Sequence, residues 1–211
     1  MREKLYTLGF VLALTAVFGA AVSGLQVVLK EKIEENKTVA RQAVVLELFG
    51  LKPADEAWPT DKTVAEFAAK VATADAGAGY NYFHLQDPAA SVFVFPIAGQ
   101  GFWDRISGFA ALDTATKLLR GVAFTDQLET PGLGARIEER WFREQFVGKS
   151  YDRLLSDGRR LRVVPSGTKR PDQAEVDAVT GATETSRSVE RLLNQGIERF
   201  LQEKEKQAGK P

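Results

Sequence analysis

The stretch SVFVFPIAGQGFWDRISGFAALDTATKLLRGVAFTD, residues 91–126, decides the fold class of this chain. Branched and aromatic residues are concentrated in three runs within it, at 91–99, 106–112 and 118–126. Runs of this composition are typical of strands, and the turn-forming residues 113–117 join the second run to the third. We therefore predict a β-hairpin or meander in this part of the chain.

The clearest helix of the chain is predicted after this stretch, over residues 185–205. Its apolar residues recur at spacings of three and four, as they do along one face of a helix. They are Val189, Leu192, Leu193, Ile197, Phe200 and Leu201. A second amphipathic helix is predicted over 136–146, and its inward face would carry Ile137, Trp141, Phe142 and Phe146.

Shorter elements complete the domain on both sides. Residues 161–165 predict another strand, which a polar turn at 166–173 follows. On the N-terminal side, residues 30–51 keep a helical pattern, and a short helix is predicted over 61–72 before a loop that Gly77 and Gly79 mark. A small, mostly antiparallel sheet with packed helices predicts an α+β domain.

A long uncharged segment precedes these elements, at residues 7–29. As a helix rising ~1.5 Å per residue, it would cover roughly 34 Å, enough to cross a hydrocarbon core of about 30 Å. A cleaved secretory signal is the alternative, because Arg2 and Lys4 precede the run. The apolar core of such a signal is usually only about 7–15 residues long, so we predict a single N-terminal transmembrane helix.

Together these patterns predict five consecutive parts. They are a short N-terminal segment (1–6), a transmembrane helix (7–29), a helical stalk (30–52), the folded domain (53–205) and a flexible tail (206–211). Lysine and arginine residues flank both ends of the span, and their count leans weakly toward a cytoplasmic stalk.

Composition excludes several classes of function. The chain contains no cysteine, which excludes disulfides, thiol catalysis and iron–sulfur clusters held by this chain alone. Its formal net charge is +0, which argues against a nucleic-acid-binding protein. The single histidine, His84, lies among aromatic residues, and we assign it no role. No catalytic residue and no metal ligand is predicted.

The segment DAVTGATETS, residues 177–186, is the best candidate for a phosphate site. Gly181 and Ala182 let the backbone approach a ligand closely. A helix start offers unpaired N–H groups and a partial positive charge to an anion. Four hydroxyls accompany it, those of Thr180, Thr183, Thr185 and Ser186. The alternative is a plain helix N-terminus capped by Thr180 or Thr183.

The pattern D-x-x-[S/T]-G-A-T at the start of this segment resembles the flavinylation motif of FMN-binding subunits of redox-driven ion pumps. These are NqrC, from the sodium-translocating NADH:quinone oxidoreductase (Nqr), and RnfG, from the Rnf complex. In that family a flavin transferase joins the FMN phosphate to the last threonine of the motif as a phosphodiester. The resemblance therefore implies covalent FMN on Thr183, with Thr180, Gly181, Ala182 and Thr185 beside it and Asp177 as a motif residue.

Two further blocks support the resemblance. Residues 129–134, ETPGLG, match a family segment that lies beside the flavin ring, although Pro-Gly is also a common turn. By this resemblance Glu129 and Thr130 would hydrogen-bond the polar edge of the flavin and Leu133 would cover the ring. Residues 99–103, GQGFW, match a segment found mainly in NqrC, and Trp103 would stack on the flavin unless it is a core residue.

The family resemblance implies an electron carrier within a membrane complex, not an enzyme acting alone. Its partners would be the other proteins of an Rnf- or Nqr-type complex and, during maturation, a flavin transferase. The flavin domain would lie on the periplasmic side of the inner membrane. Chain length suits RnfG, whereas the GQGFW and ERWFREQF blocks suit NqrC. A stand-alone membrane-tethered flavoprotein and a non-flavin membrane-anchored binding module are the alternatives.

Overall fold

The protein consists of a long N-terminal helix and a unit of helices and strands. The computed structural model describes residues 2–77, 79–170 and 174–208. The helices are α1 (Arg2–Leu48), α2 (Thr60–Lys70), a 3-10 helix (Gly134–Glu138), α3 (Arg140–Glu144) and α4 (Thr183–Ala208). The strands are β1 (Val71–Asp75), β2 (Asn81–Leu85), β3 (Val92–Gln100), β4 (Arg105–Asp113), β5 (Leu118–Asp126), β6 (Arg162–Val164) and β7 (Glu175–Asp177). Parts of the predicted N-terminal segment, polar turn and tail lie outside the described residues. The chain divides into two compact units, residues 1–40 and residues 41–211.

The first unit is helical over its described residues. Its apolar segment reaches a mean hydropathy of 2.1 over 18 residues, and none of that segment is buried. Within the described parts of the chain, α1 is the one helix whose length and composition suit a membrane span. Two hydroxyls in it, those of Thr7 and Thr15, donate to backbone carbonyls one turn earlier, at 3.0 and 2.8 Å, which satisfies them within the helix.

A five-stranded antiparallel sheet is the centre of the second unit. Its strand order is β1-β2-β3-β4-β5, so every strand pairs with its neighbour in sequence. The central strands are in the register Phe95↔Ala110 and Ala110↔Val122, which places their apolar side chains on shared faces. A parallel pair, β6 and β7, forms a second small sheet. The predicted α+β class is confirmed.

Helices cover both faces of the large sheet. On one face α4 lies so close to β3 that a Cβ added at Gly99 would lie 3.0 Å from Leu192 Cβ. On the other face Val45 and Leu46, in the last turns of α1, are fully buried in a cluster with Val94, Phe109 and Ala111 of the sheet. The alternation of side chains along each strand supplies both of these apolar faces.

Three local predictions were wrong. The sequence pattern continued a helix to residue 72 and placed a loop after it, whereas β1 begins at Val71 and pairs with β2. The helix predicted over 136–146 is divided, because Glu139 adopts an extended conformation between the 3-10 helix and α3. Trp141 was expected to face inward, but it is 39% exposed, and its indole lies near the Arg136 guanidinium.

Candidate functional site

Thr183 occupies the first position of α4, where its side chain is exposed. Among the residues that the structure describes, none hydrogen-bonds its hydroxyl. The backbone N–H groups of Thr183, Glu184 and Thr185 likewise find no acceptor within the described chain, as the first turn of a helix requires. The helix start therefore presents a free hydroxyl next to three free N–H donors and the positive end of the helix dipole.

The turn before α4 is held from inside the protein. The buried Ser186 hydroxyl donates to Ala182 O at 2.8 Å, and its oxygen accepts the Val179 N–H at 3.0 Å. Gly181 has a φ of +80°, a conformation that favours glycine. A Cβ at Gly181 would also lie 3.0 Å from Leu133 Cδ2. Leu133 is thus placed directly against the turn that carries Thr183.

Glu129 joins the three sequence blocks at a single carboxylate. Oε1 accepts the backbone N–H groups of Phe102 at 2.9 Å and Trp103 at 3.1 Å. Oε2 accepts the hydroxyl of Thr185 at 2.6 Å. Glu129 is only 4% exposed and Thr185 only 3%. The two side chains therefore hydrogen-bond each other, and Glu129 also binds the backbone.

Two glycines leave the space that this carboxylate occupies. A Cβ at Gly134 would lie 2.6 Å from Thr185 Oγ1 and 2.8 Å from Glu129 Cβ, closer than side chains pack. A Cβ at Gly101 would overlap Glu129 Oε1 and lie 2.6 Å from Asp104 O. Gly101 of the GQGFW block and Gly134 of the ETPGLG block thus have a steric reason to be glycine.

An exposed apolar surface surrounds the carboxylate. Trp103 is 64% exposed and Phe102 56%, and their ring centroids lie 5.1 Å apart in an edge-to-face arrangement. The indole Nε1–H of Trp103 donates to Thr130 Oγ1 at 2.9 Å, which fixes one edge of the ring. Leu133 is also exposed, at 43%. Trp103 is therefore not a core residue, and sequence reasoning missed the exposed ring of Phe102.

Asp177 belongs to a separate polar network. Its Oδ2 lies 3.2 Å from Lys169 Nζ, and its Oδ1 accepts the Gly167 N–H at 2.8 Å. Burial acts to raise the pKa of the Asp177 carboxyl, but these hydrogen bonds and the charge of Lys169 outweigh it, so the pKa lies below its usual value. Gln145 Oε1 accepts both the Asp177 N–H and the Lys169 ammonium. No sequence pattern predicted a role for Gln145. Through these hydrogen bonds Asp177 anchors the loop that precedes β7.

The structure thus brings together most of the predicted site residues. Hydrogen bonds and close contacts link Trp103, Glu129, Thr130, Leu133 and the 180–185 segment. Asp177 stands apart, because its side chain binds the loop before β7 and not the loop of Trp103.

Comparison with known proteins bears on the same region. The FMN-binding domain family matches residues 101–198, a span that contains Trp103, the 129–134 segment and Thr183. The C component of the Na(+)-translocating NADH-quinone reductase of Yersinia pestis is 39% identical over 103 residues, which is 48% of this chain and 38% of that protein. The component of the same name from Vibrio vulnificus is 25% identical over 228 residues, covering 89% of this chain and 88% of that protein.

Solved structures share the fold. The C component of the Na(+)-translocating NADH-quinone reductase of Parabacteroides distasonis has a TM-score of 0.66 at 20% identity, over 83% of this chain and 96% of that one. The NqrC structure from Shewanella oneidensis has a TM-score of 0.60 at 21% identity, over 75% and 90% of the two chains. At these identities the likeness establishes the architecture of the second unit, and the chemistry rests on the site residues.

Proposed function

We propose that this chain, which belongs to the family of FMN-binding proteins that includes NqrC of the Na(+)-translocating NADH-quinone reductase, carries FMN bonded through its phosphate to Thr183. It would act as a membrane-anchored electron carrier in an Nqr-type complex. FMN would supply the uptake and release of electrons, whereas the chain's own residues bind, orient and shield it. One observation carries the proposal: the exposed, unbonded Thr183 hydroxyl lies at a helix start where three motif segments meet.

The geometry distinguishes among the four hydroxyls of the segment. Thr185 and Ser186 are buried, and each donates its proton to an oxygen of the protein. Thr180 and Thr183 are exposed, and neither side chain makes a hydrogen bond within the described residues. Thr183 alone of these two also stands at the N-terminus of α4. This favours Thr183 as the residue that an external transferase reaches.

The helix start also fits the phosphate that the bond would leave beside it. A phosphodiester keeps one negative charge, and the free N–H groups of the first turn of α4 are donors for its oxygens. Bond formation joins Thr183 Oγ1 to the phosphorus of the flavin nucleotide that the transferase supplies. One P–O bond of that nucleotide breaks, and the oxygen that leaves takes up the hydroxyl proton. The protein then gains the mass of one FMN less one water.

The exposed rings fit a planar aromatic ligand. Trp103 and Phe102 present large apolar surfaces to solvent, and aromatic rings stack favourably on such surfaces. Leu133 adds aliphatic cover next to Gly181, whose missing side chain leaves the approach open. Thr130 keeps a hydroxyl proton to donate, because its oxygen acts as the acceptor for Trp103. Glu129 and Thr185, in contrast, are engaged with one another, so we assign them to the frame of the site.

The membrane anchor and partners follow from the same family. The apolar part of α1 suits a single span. The family places the flavin domain on the periplasmic side of the inner membrane, and we propose that placement here. The electron donor and acceptor would be other proteins of an Nqr-type complex, and a flavin transferase would load the cofactor.

The decisive experiment is denaturing mass spectrometry of the full chain produced with a flavin transferase. The wild type should gain one FMN less one water, and Thr183→Ala should not. Thr180→Ser is the matched control, because the motif accepts serine at this position, so the variant should leave the gain intact. An unmodified wild type, with a known substrate of the same transferase labelled in parallel, would refute the covalent bond. Colourless protein would then favour a non-flavin binding module.

A further inference from the structure

We propose that Glu129 is the positioning residue of the flavin site, which ties the Trp103 loop to the first turn of α4 before any flavin is attached. The inference rests on the proposed function, since it names the residue that assembles that site. It differs from the direct flavin contact that the family resemblance suggested for Glu129.

The hydrogen bonds of Glu129 span three distant parts of the sequence. One oxygen holds the backbone N–H groups of Phe102 and Trp103, which lie 27 and 26 positions earlier. The other oxygen holds the Thr185 hydroxyl, 56 positions later. A single side chain thus sets the distance between the loop that carries the exposed indole and the helix turn that carries Thr183.

Because Glu129 is buried, its carboxylate depends on the hydrogen-bond donors around it. Glu129 is 4% exposed, and no cationic side chain pairs with it among the described residues. A buried carboxylate without hydrogen bonds is costly, so the three donors are needed to keep the charged group inside. Hydrogen bonds to a charged acceptor are also stronger than neutral ones. The carboxylate and its donors therefore hold one another in place.

The glycines on either side show that the space is reserved for the carboxylate. Any side chain at Gly101 or Gly134 would meet atoms of Glu129. The ETPGLG and GQGFW blocks thus contain complementary parts of one arrangement, the carboxylate in the first and the amide donors in the second. A residue that only contacted a ligand would not need glycine at two positions that pack against its side chain.

Two substitutions separate reach from charge. Glu129→Gln keeps the length and one acceptor oxygen, and the Thr185 hydroxyl can turn to accept from the new amide. Glu129→Asp keeps the charge but withdraws the oxygens by one methylene group. Positioning by Glu129 therefore predicts that the glutamine variant resembles the wild type more closely than the aspartate variant does.

The first test uses the full chain made without a transferase, so that no flavin is present. Hydrogen exchange at the Phe102 and Trp103 amides should be about tenfold or more faster in Glu129→Ala and Glu129→Asp, and within about threefold of wild type in Glu129→Gln. Glu190→Gln is the matched control, because Glu190 is also a buried carboxylate that accepts a backbone N–H, that of Val163, and it lies on the same helix as Thr185. It should leave these two amides unchanged.

The second test uses the same variants loaded by the transferase. Circular dichroism of the flavin in the visible range should change in Glu129→Asp and be retained in Glu129→Gln and Glu190→Gln. Wild-type exchange rates in Glu129→Asp, or fast exchange in Glu129→Gln with slow exchange in Glu129→Asp, would overturn the proposal. A wild type that takes up no FMN would instead refute the proposed function and leave the exchange result to stand alone.

Discussion

The hydroxyl of Thr185 donates a 2.6 Å hydrogen bond to Glu129 Oε2, across 56 positions of sequence and inside the protein. Both residues come from motifs that suggested direct contact with a cofactor. In the structure they bind one another, whereas Thr183, Thr130 and the Trp103 ring are among the groups that face outward. The consequences of this arrangement can be measured.

Replacement of Thr185 by valine should destabilise the protein by about 1–3 kcal/mol, because a buried carboxylate oxygen then loses its donor while the shape of the side chain is kept. The free energy of unfolding, from denaturant titration, gives the value. Thr60→Val is the control, since Thr60 is exposed and its hydroxyl has no hydrogen bond within the described residues. Equal effects of the two substitutions would contradict the interpretation.

An alanine at Gly134 should cost about 1–3 kcal/mol through overpacking, because its Cβ would lie 2.6 Å from Thr185 Oγ1. Gly132→Ala in the same loop is the comparison. A Cβ at Gly132 meets nothing within 4 Å, so its cost comes from the positive φ of +75° alone. Of the two variants, only Gly134→Ala should lose extra stability through Thr185, so its cost should fall in a Thr185→Ala background, where the Oγ1 atom is missing.

The Trp103 ring is exposed, so Trp103→Leu should change the free energy of unfolding by less than about 1 kcal/mol. It should nevertheless increase the fluorescence of the attached flavin, because a neighbouring indole quenches a flavin by electron transfer. Trp141→Leu is the matched control at a partly exposed tryptophan outside the site. If the flavin fluorescence changed in Trp141→Leu and not in Trp103→Leu, the flavin ring would not lie beside Trp103.

Stability should fall in acid partly through Glu175. Hydrogen bonds from the Arg170 side chain and N–H lower the pKa of the Glu175 carboxyl from 4.5 to about 2. Because the folded protein keeps this carboxyl ionised at a pH where the unfolded chain is protonated, the stabilisation is present above about pH 4.5 and is lost as the pH falls toward 2. Unfolding free energies of Glu175→Gln should therefore depend less on pH in this window, with Glu205→Gln as an exposed control.

Sidedness can be tested directly, because the chain has no cysteine. Ser156→Cys lies on the exposed surface of the second unit and Lys4→Cys lies before the apolar segment. With the inner membrane intact, a membrane-impermeant maleimide should label the cysteine at 156 and should reach the one at 4 only after permeabilisation. The reverse pattern would put the flavin domain in the cytoplasm.

Much of the architecture was predictable from local pattern. Alternation and β-branching indicated β3, β4 and β5, and the apolar spacing from Val189 to Leu201 indicated α4. The short strands β1, at the edge of the sheet, and β2, beside it, were missed. VATAD and NYFHL mix apolar residues with small or polar ones, so they fit a strand only when a neighbour pairs with them. Glu139 interrupted a helix that local pattern predicted as continuous.

The sequence by itself determined the apolar segment, the central strands, the last helix and the residues of three motif blocks, since each depends on periodicity or on consecutive residues. Only the tertiary structure decided which residues of those blocks are buried against one another and which are exposed to a ligand. Burial and hydrogen bonding make Glu129 and Thr185 a pair within the protein, whereas exposure leaves Thr183 and Trp103 available. The physical reason is that a side chain's partners depend on distances between residues far apart in the chain, and the packing of α4 against the sheet sets those distances.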